Sequence, residues 1–364
     1  MGMVVKGISN GMIGFTSAAN EIEVSQIAGG KLNVRILHLG MELFNENYYP
    51  QDGKVYIYEL GDMLRENIDP VVPEGMSRTF DRYLAPHFPA EIIFSDDADT
   101  VPVSVNLFYC RCKTLVSPLD PVFFTHENTV RTAPGRMEHL TLYAANGDTS
   151  IDVGVAYLGE GRERYKTYTQ SVTYPYLGCY SFAIEDVAKK AAVDLSAILY
   201  YDVILKENGT RKDKVRFIND KRQYRDITRF IYTNTFGLPE TATFTGLTEY
   251  APELEGDIVE MLRGNARPDA RYMDIRTVNS GYVDATRYRK ILDLITSPSV
   301  HIYDENRIDE VVITDIDFTH KRTGNEKINV SLTYRRVGRN HLEFGRTANI
   351  RTRIFDNTFD YTFN

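Results

Sequence analysis

Alternating apolar and polar positions recur along most of the chain. The clearest runs are rich in Val, Ile, Tyr and Phe and lie at 24–37, 54–58, 102–114 and 152–159. A period of two places alternate side chains on one face of a strand, and β-branched and aromatic residues suit that half-buried surface. Turn dipeptides separate such runs at Gly29-Gly30, Asn146-Gly147 and Asn208-Gly209. The pattern therefore predicts a mainly β protein built from short strands.

Helical periodicity is rare by comparison. The strongest segment is 284–296, where Asp284 is a candidate N-cap and Ser297-Pro298 ends the helix. Its apolar face is predicted to consist of Tyr288, Ile291, Leu292 and Ile295. A weaker helix is expected at 184–192 and an acidic helical turn at 61–64. For 250–263 two readings stay open: a helix that begins at Pro252, or two strands interrupted at Gly256.

The order of elements indicates an internal duplication. One copy runs from KLNVRILHLG to HLTLYAANG and the other from IDVGVAYLGEG to RFIYTNTFG. In both, a strand that ends in Gly precedes a strand with an acidic helical turn, and aromatic strands follow. This predicts two tandem β-sandwich-like modules, 1–148 and 149–246, with an insertion at about 65–100 in the first. Chance similarity between aromatic strands is the alternative.

The pattern changes after Gly246. Residues 247–338 are predicted to form a small α+β unit, in which one amphipathic helix covers an antiparallel sheet. The remaining segment, 339–364, is predicted to be an extended tail with aromatic residues at Phe355, Phe359, Tyr361 and Phe363. These are candidate interface residues. The tail either completes a sheet of its own chain or adds a strand to a neighbouring subunit.

Composition narrows the classes of partner. The 364 residues include 24 Tyr and 18 Phe but no Trp, which strengthens the β prediction. The formal net charge is -8 and no block of Lys and Arg stands out, so we expect no nucleic-acid partner. The first residues, MGMVVKGISNGMIGF, resemble neither a signal peptide nor an anchor, and no apolar run is long enough to span a membrane. We therefore expect a chain without membrane insertion that is made in a cytoplasm.

Candidate chemistry is sparse. Nucleophile-elbow, phosphate-loop, zinc-protease and dinucleotide motifs are absent, and the seven His residues have no ligand spacing. Three Cys without a secretory signal predict reduced thiols, with Cys110 and Cys112 on one face of a strand. We therefore predict no enzyme activity, no cofactor and no metal site.

Two acidic groups are candidate exceptions to that prediction. Asp96, Asp97 and Asp99 offer oxygen ligands for Ca²⁺, but a solvated loop tip explains them more simply. Asp315 and Asp317 share a strand face, as the carboxyl pair of a glycoside hydrolase would. Outward-facing solvated residues are again the simpler explanation.

The most distinctive segment is RFIYTNTFGLPETATFTG, 229–246. It resembles an NxFG-x-x-ET pattern between aromatic strands in proteins of Bacteroidetes bacteria and their phages and prophages. The matching residues are Asn234, Phe236, Gly237, Glu240 and Thr241. The downstream order, VNSGYVD, a helix, LITSPSVHIYDENR and VVITDIDF, is also similar. The resemblance covers about 215–337 well and the upstream modules only in layout, while the missing Trp and the Phe-rich tail depart from it.

The resemblance implies a structural role, because in those proteins this layout belongs to β-rich components of phage tails or baseplates. It implies a non-enzymatic virion tail protein that forms a homo-oligomeric ring or sleeve and contacts other tail proteins. No catalytic residue comes with the motif. Its residues also have a physical interpretation: Asn234 and Gly237 bracket a tight turn, and Glu240 is expected to cap nearby backbone amides.

Two other functions remain as alternatives. Tyr-rich strands are compatible with a glycan-binding or adhesion protein that contacts a host surface glycan, although the missing Trp weakens a sugar-stacking platform. A carbohydrate-active hydrolase would require two converging carboxylates.

Overall fold

The computed structural model describes residues 2–71, 82–113, 121–144, 148–172, 177–255, 259–261, 264–266, 271–304, 307–318 and 328–337. Strands dominate, so the predicted mainly β fold is confirmed. The first strands are β1 (Val4–Lys6), β2 (Met12–Phe15), β3 (Glu21–Ser25), β4 (Leu32–His38), β5 (Met41–Tyr48), β6 (Lys54–Tyr58), β7 (Arg82–Leu84), β8 (His87–Ser95) and β9 (Thr100–Phe108). A helix, α1 (Leu60–Arg65), follows β6.

The remaining elements continue in chain order. The next strands are β10 (Val122–Phe124), β11 (Thr129–Thr132), β12 (His139–Tyr143), β13 (Thr149–Gly159), β14 (Arg162–Ser171), β15 (Leu177–Ser181), β16 (Ile198–Glu207) and β17 (Thr210–Asn219), with α2 (Ile184–Ala191) after β15. The last are β18 (Thr228–Thr233), β19 (Pro239–Phe244), β20 (Thr248–Tyr250), β21 (Glu253–Glu255), β22 (Val259–Met261), β23 (Gly264–Ala266), β24 (Arg271–Met273), β25 (Ile275–Val283), α3 (Ala285–Ile295), β26 (Val300–Asp304), β27 (Arg307–Phe318) and β28 (Ile328–Arg336).

The first sandwich packs a small sheet, β1-β3-β6, on a large sheet, β2-β9-β8-β4-β5. Alternate residues of each strand face the shared core, as in the fully buried pairs Val34 with Ile36 and Ile92 with Phe94. Strand β2 is the exception to the antiparallel pairing, because it runs parallel to β9. Leu60 and Leu64 of α1 close one end of this core.

The second sandwich repeats that arrangement. Its small sheet is β10-β12-β15-β7 and its large sheet is β11-β17-β16-β13-β14, and β11 again runs parallel to β17. Apart from β7, each strand has a counterpart at the same place in the first sandwich, and α2 follows β15 as α1 follows β6. The topology therefore contains a duplication, but its two copies have other bounds than the predicted ones. The predicted correspondences of β4 with β13 and of β6 and α1 with β15 and α2 hold, whereas β16 corresponds to β8 rather than to the end of β9.

Strand pairing differs from the predicted division of the chain. Strands β10 to β12 lie within the predicted first module, 1–148, but pair with strands of the second sandwich. Strand β8 lies in the predicted insertion, 65–100, yet is central to the first sandwich and corresponds to β16. Aromatic strands of similar composition are interchangeable in sequence, and only the pairing reveals their partners.

Strand β7 connects the two sandwiches. It comes from the segment between α1 and β8 of the first copy, but it pairs antiparallel with β15 at the edge of the second small sheet. This part of the predicted insertion is the one without a counterpart in the second copy, where α2 leads to β16 through a single short 3₁₀ turn, Leu195–Ala197.

Four hairpins turn through two residues that both have positive φ: Leu39-Gly40, Asp52-Gly53, Glu160-Gly161 and Asn208-Gly209. This is the turn type that fits the twist of antiparallel strands. The GEGR sequence at 159–162 is accordingly the tip of the β13–β14 hairpin. Residues 145–147, which contain the predicted turn Asn146-Gly147, lie outside the described residues.

The C-terminal unit is a seven-stranded sheet, β19-β18-β26-β27-β28-β25-β20, with α3 on one face. It therefore includes β18 and β19, which were predicted to belong to the second module, because β18 pairs with β26. The described parts of 250–263 are strands, β21 and β22, so the helical reading is wrong there.

Helix α3 begins as predicted, because the Asp284 carboxylate accepts the amide N–H of Arg287 at 2.9 Å. Its buried face differs from the prediction. Ile291 and Leu294 are fully buried and so are Lys290 and Asp293, whereas Leu292 is half-exposed. The buried face of α3 therefore includes two charged residues, Lys290 and Asp293, which have partners in the neighbouring units.

Candidate functional site

The motif residues 234–238 form the turn between β18 and β19. The Asn234 N–H donates to the Leu238 carbonyl at 2.8 Å, and the Gly237 N–H donates to the Asn234 carbonyl at 3.0 Å. The Asn234 side-chain oxygen accepts two further amides, from Phe236 at 2.9 Å and Leu238 at 3.2 Å. Asn234 therefore holds the turn in shape through its own side chain.

Gly237 is required for both its conformation and its lack of a side chain. Its φ is +73°, and a Cβ atom at this position would lie 2.9 Å from Cδ1 of Tyr109. Tyr109 follows β9 and belongs to the core of the first sandwich. The turn thus lies directly against the first sandwich, where any larger residue would displace the tyrosine ring.

Phe236 lies in an aromatic cluster between the two sandwiches. Its ring stacks on Phe124 of β10, with centroids 4.3 Å apart and planes 15° apart. The ring of Phe15 of β2 lies 5.7 Å from Phe236 and 5.8 Å from Phe124. The buried residues of this group, which we call the junction core, are Phe15, Ala85, Phe108, Cys110, Tyr143, Leu177, Cys179 and Leu238. All three units contribute to it.

Backbone hydrogen bonds connect the turn to the first copy. The Gly237 carbonyl accepts from Val71 N at 2.9 Å, and the Thr235 carbonyl accepts from Arg111 N at 3.0 Å. The Thr233 hydroxyl donates to the Val71 carbonyl at 3.1 Å. The residues before and within the turn are therefore hydrogen-bonded to residues that are far away in the sequence.

Asp293 of α3 joins the same junction. Its carboxylate accepts from the Thr235 hydroxyl at 2.7 Å and from Arg111 Nη2 at 2.8 Å. It also accepts the Thr235 amide at 3.2 Å. Because Asp293 is buried, these charge-assisted bonds replace the hydration that its carboxylate loses.

Glu240 does not cap local amides as the sequence predicted. It is buried and points to the Lys290 ammonium, 3.4 Å away, and it accepts from Asn234 Nδ2 at 3.3 Å. Lys290 also lies 3.5 Å from the Glu127 carboxylate of the second sandwich. The local amides already have carbonyl and Asn234 partners, which leaves the glutamate to face the buried lysine.

We call the group formed by Glu127, Glu138, Glu240 and Lys290 the buried ionic cluster. Burial raises the pKa of both Glu138 and Glu240 to about 7, although Lys290 opposes the shift. Burial also disfavours the ammonium form of Lys290, but Glu240, Glu127 and Glu138 outweigh it and its pKa is raised. Burial and Lys290 together lower the pKa of His139 to about 4.

A small cavity adjoins the buried ionic cluster. Glu127, Glu138, Thr241, Arg287 and Lys290 line it together with neighbouring apolar residues, and its volume is about 20 Å³. That space accommodates about one water molecule. Two carboxyl groups that titrate near neutrality are what acid–base catalysis uses, but here the space admits no organic substrate. The arrangement joins α3, β19 and the second sandwich.

Asp96 closes a surface loop. Its carboxylate accepts amides from Ala28 at 2.7 Å, Ala98 at 2.8 Å and Asp99 at 2.7 Å, and these bonds lower its pKa. Asp97 and Asp99 are exposed. Among the described residues, no group of three or more His, Cys, Asp or Glu side chains is arranged to hold a metal ion.

Asp315 and Asp317 lie exposed in an open groove on the C-terminal sheet. The groove has a volume of about 630 Å³ and is lined by polar residues, among them Thr277, Asn279, Ser331 and Thr333. Asn279 Nδ2 donates to the Ser331 hydroxyl at 3.0 Å, and the Thr277 and Thr333 hydroxyls are 2.9 Å apart. This surface offers hydroxyl, amide and carboxylate groups rather than an enclosed reaction site.

Cys110 and Cys112 lie beyond the end of β9 and not on a strand as predicted. Cys110 is buried in the junction core, whereas Cys112 is half-exposed. The Cys112 amide donates to the Cys110 sulfur at 3.4 Å. A hydrogen bond from the Cys110 thiol lowers the pKa of Cys112 to about 7, against the effect of burial. The candidate interface residues Phe355, Phe359, Tyr361 and Phe363 lie outside the described residues.

The sequence motif led to the turn but not to the partners of its side chains. The sequence patterns predicted no role for four buried charged residues: Asp293, Lys290, Glu127 and Glu138. A weak signal exists for the helix residues, because Arg287, Lys290 and Leu294 follow the spacing of one helical face. Nothing in the local sequence marks Glu127 or Glu138, which lie in the second sandwich and whose burial depends on packing.

Comparison with known proteins does not assign the chain to a family. The chain matches no protein-family model, and none of the curated proteins matches its sequence. None of the helices in the described part of the chain has the length and apolar character needed to cross a membrane.

Proposed function

We propose that this chain is a non-enzymatic structural component of a phage tail or tail-like particle, placed at the baseplate or tail tip. The observation that carries the proposal is the junction around 234–238. The residues of the resembling motif are used there for packing and hydrogen bonds between three units. A protein that transmits load within a particle needs units held in one fixed arrangement, and this junction supplies it.

Exposed apolar residues support assembly with other subunits. Leu39 is 78% exposed and Met41 is 64% exposed at the tip of the β4–β5 hairpin. Leu39 also has a φ of +49°, which costs energy for a leucine. Long edge strands, β5 and β14, lie at equivalent ends of the two large sheets. Apolar tips and free edges of this kind are typical of surfaces that partners cover.

The test combines mass photometry of the purified chain with protein identification in isolated particles. The proposal predicts a discrete homo-oligomer and the presence of the chain in tail fractions. A chain that stays monomeric at all concentrations and is absent from particles would contradict it.

Glycan binding at a host surface is the second candidate function, and the open groove favours it. Thr277, Asn279, Ser331 and Thr333 offer the hydroxyl and amide groups that bind sugars through hydrogen bonds. A glycan array with the wild-type chain and an Asn279→Leu variant tests it. Binding that the variant loses would support this function, whereas particle incorporation without any glycan binding would exclude it as the main role.

A further inference from the structure

The outer faces of the two small sheets differ although their strands correspond. In the second sandwich, outer-face residues of β12 and β15, such as Tyr143, Leu177 and Cys179, are buried in the junction core. Strand β7 also covers the edge of β15. In the first sandwich the equivalent strand, β6, has no partner on that edge among the described strands. Among the strands that the structure describes, the duplication therefore reveals one filled edge, at β15, and one edge without a paired strand, at β6, which we call the free edge.

The filled edge defines what an added strand provides. Tyr83 of β7 lies opposite Cys179, and Cys179 lies opposite Thr141 of β12. Tyr83 packs on the junction core, so the added strand brings an aromatic ring to the outer face of the sheet. The corresponding row in the first sandwich is Glu23 opposite Tyr56, and no residue of the described strands takes the third place.

The free edge displays two aromatic rings. Tyr56 is 49% exposed and Tyr58 is 65% exposed, and both point away from the core that Val55 and Ile57 enter. Their rings lie 6.4 Å apart at 14°. The face is otherwise polar, with an ion-paired group formed by Lys6, Glu23 and Lys54. Tyrosine-rich faces with a polar rim are typical of subunit interfaces.

We propose that the free edge of β6 receives residues 355–363 of a second copy of this chain as an antiparallel strand. The proposal deepens the proposed function, since it rests on assembly of the chain with itself. It assigns the β6 edge, with Tyr56 and Tyr58, as the acceptor surface.

The sequence of 355–363, FDNTFDYTF, fits this place. Phe355, Phe359, Tyr361 and Phe363 occupy every second position except 357, while Asp and Thr occupy the positions between. Such a strand presents aromatic rings to one face. With Tyr361 opposite Tyr56, Phe359 lies opposite Tyr58, and cross-strand aromatic pairs of this kind stabilise a sheet. The arrangement reproduces Tyr83 beside Cys179.

In the second sandwich, β15 receives its added strand, β7, from the part of the chain that belongs to the first copy. The 17 residues of 338–354 have a maximum reach of roughly 55 Å at 3.3 Å per residue, which is enough to reach an adjacent subunit. A donor tail on one subunit and an acceptor edge on the next make a head-to-tail interface. Interfaces of that type repeat, and they form closed rings where the rotation between neighbouring subunits closes.

Two full-length variants separate donor from acceptor. Phe359→Lys combined with Tyr361→Lys removes the donor, and Tyr56→Lys combined with Tyr58→Lys removes the acceptor. A Tyr49→Lys variant is the matched control, because Tyr49 is an exposed tyrosine beyond β5. Circular dichroism and thermal unfolding first establish that each variant is folded. Native mass spectrometry then measures the assembly of each variant alone and of the two mixed.

The expected result is complementation. Neither double variant associates with itself, the Tyr49→Lys control assembles as the wild type does, and the mixture forms a one-to-one dimer. A labelled peptide of residues 353–364 is expected to bind the donor variant at least roughly tenfold more tightly than the acceptor variant.

Other outcomes overturn the inference. A wild-type oligomer that persists in both variants would refute this interface but leave the proposed assembly function standing. If the wild type is a folded monomer and the peptide of residues 353–364 does not bind to the donor variant, the tail does not act between chains. Variants that remain separate when mixed would show the same. Absence of the chain from particles would refute the proposed function itself, whatever the peptide binds.

Discussion

Lys290 is a single buried ammonium group facing several buried carboxyl groups. It lies 3.4 Å from Glu240 and 3.5 Å from Glu127, and the charge of Glu138 also acts on it. A buried ion pair adds little stability over apolar packing, but loss of one partner leaves the other charge unpaired in the interior. The cluster therefore matters most when it is broken on one side.

Replacement of that lysine is expected to be costly. Lys290→Met should lower the free energy of unfolding by about 3–5 kcal/mol at pH 8, because the carboxyl groups remain buried without their counter-charge. The loss should be smaller at pH 6, where Glu138 and Glu240, whose pKa values are about 7, are largely protonated. Urea unfolding at both pH values measures it, with Lys31→Met as an exposed control expected within about 0.5 kcal/mol of wild type. Equal effects of the two substitutions would contradict the account.

The raised pKa of Glu138 predicts how the free energy of unfolding depends on pH. Its pKa is about 7 in the folded protein against 4.5 ordinarily, so the folded state binds the proton more tightly than the unfolded state between these values. The contribution of Glu138 to stability is therefore present below pH 4.5 and is lost as pH rises through about 7. Glu138→Gln should gain about 2–3 kcal/mol relative to wild type between pH 5 and pH 8. Chemical unfolding at several pH values tests this, and parallel curves would refute it.

At the scale of elements, the turn after β18 offers a comparison between two glycines. Gly237 and Gly161 have nearly the same φ, +73° and +72°, but a Cβ would touch Tyr109 at Gly237 and meets open space at Gly161. Gly161→Ala should cost about 1–2 kcal/mol from backbone strain alone. Gly237→Ala should cost about 1–3 kcal/mol more, because the tyrosine must move. Thermal unfolding of both variants measures the difference, and equal losses would mean that the turn does not pack as described.

Elements were more predictable from the sequence than their partners. Alternation located β4, β6 and β13, and an N-cap at Asp284 located the start of α3, because these signals are local. Long-range pairing places β10, β11 and β12 in the second sandwich and puts β7 at the edge of its small sheet. No local sequence pattern encodes that pairing. In the same way, the motif located the turn at 234–238, while Asp293 and Lys290 became visible only through packing.

At the scale of the whole molecule, the junction connects three units that would otherwise have separate cores. Asp293 on α3 binds Thr235 in the turn and Arg111 after β9, so one carboxylate contacts chain from two units and the turn between them. Asp293→Ala would remove the hydrogen-bond acceptor of the half-buried donors Thr235 and Arg111.

That variant is expected to change the cooperativity of unfolding. Calorimetry of the wild type should show one main transition, and Asp293→Ala should separate it into at least two, since the units keep their own cores. Asp99→Ala serves as a control, because Asp99 is exposed on a loop of the first sandwich. A single transition lowered equally in both variants would contradict the coupling role of Asp293.

We propose that this three-unit chain is a building block of a tail structure. Electron microscopy of purified particles, with this chain located in the reconstruction, tests it most directly. We expect a closed ring or sleeve at the baseplate or tail tip. Its repeating density should contain the two sandwiches and the C-terminal unit in the arrangement described. A reconstructed tail with every density assigned to other proteins, and this chain absent, would contradict it.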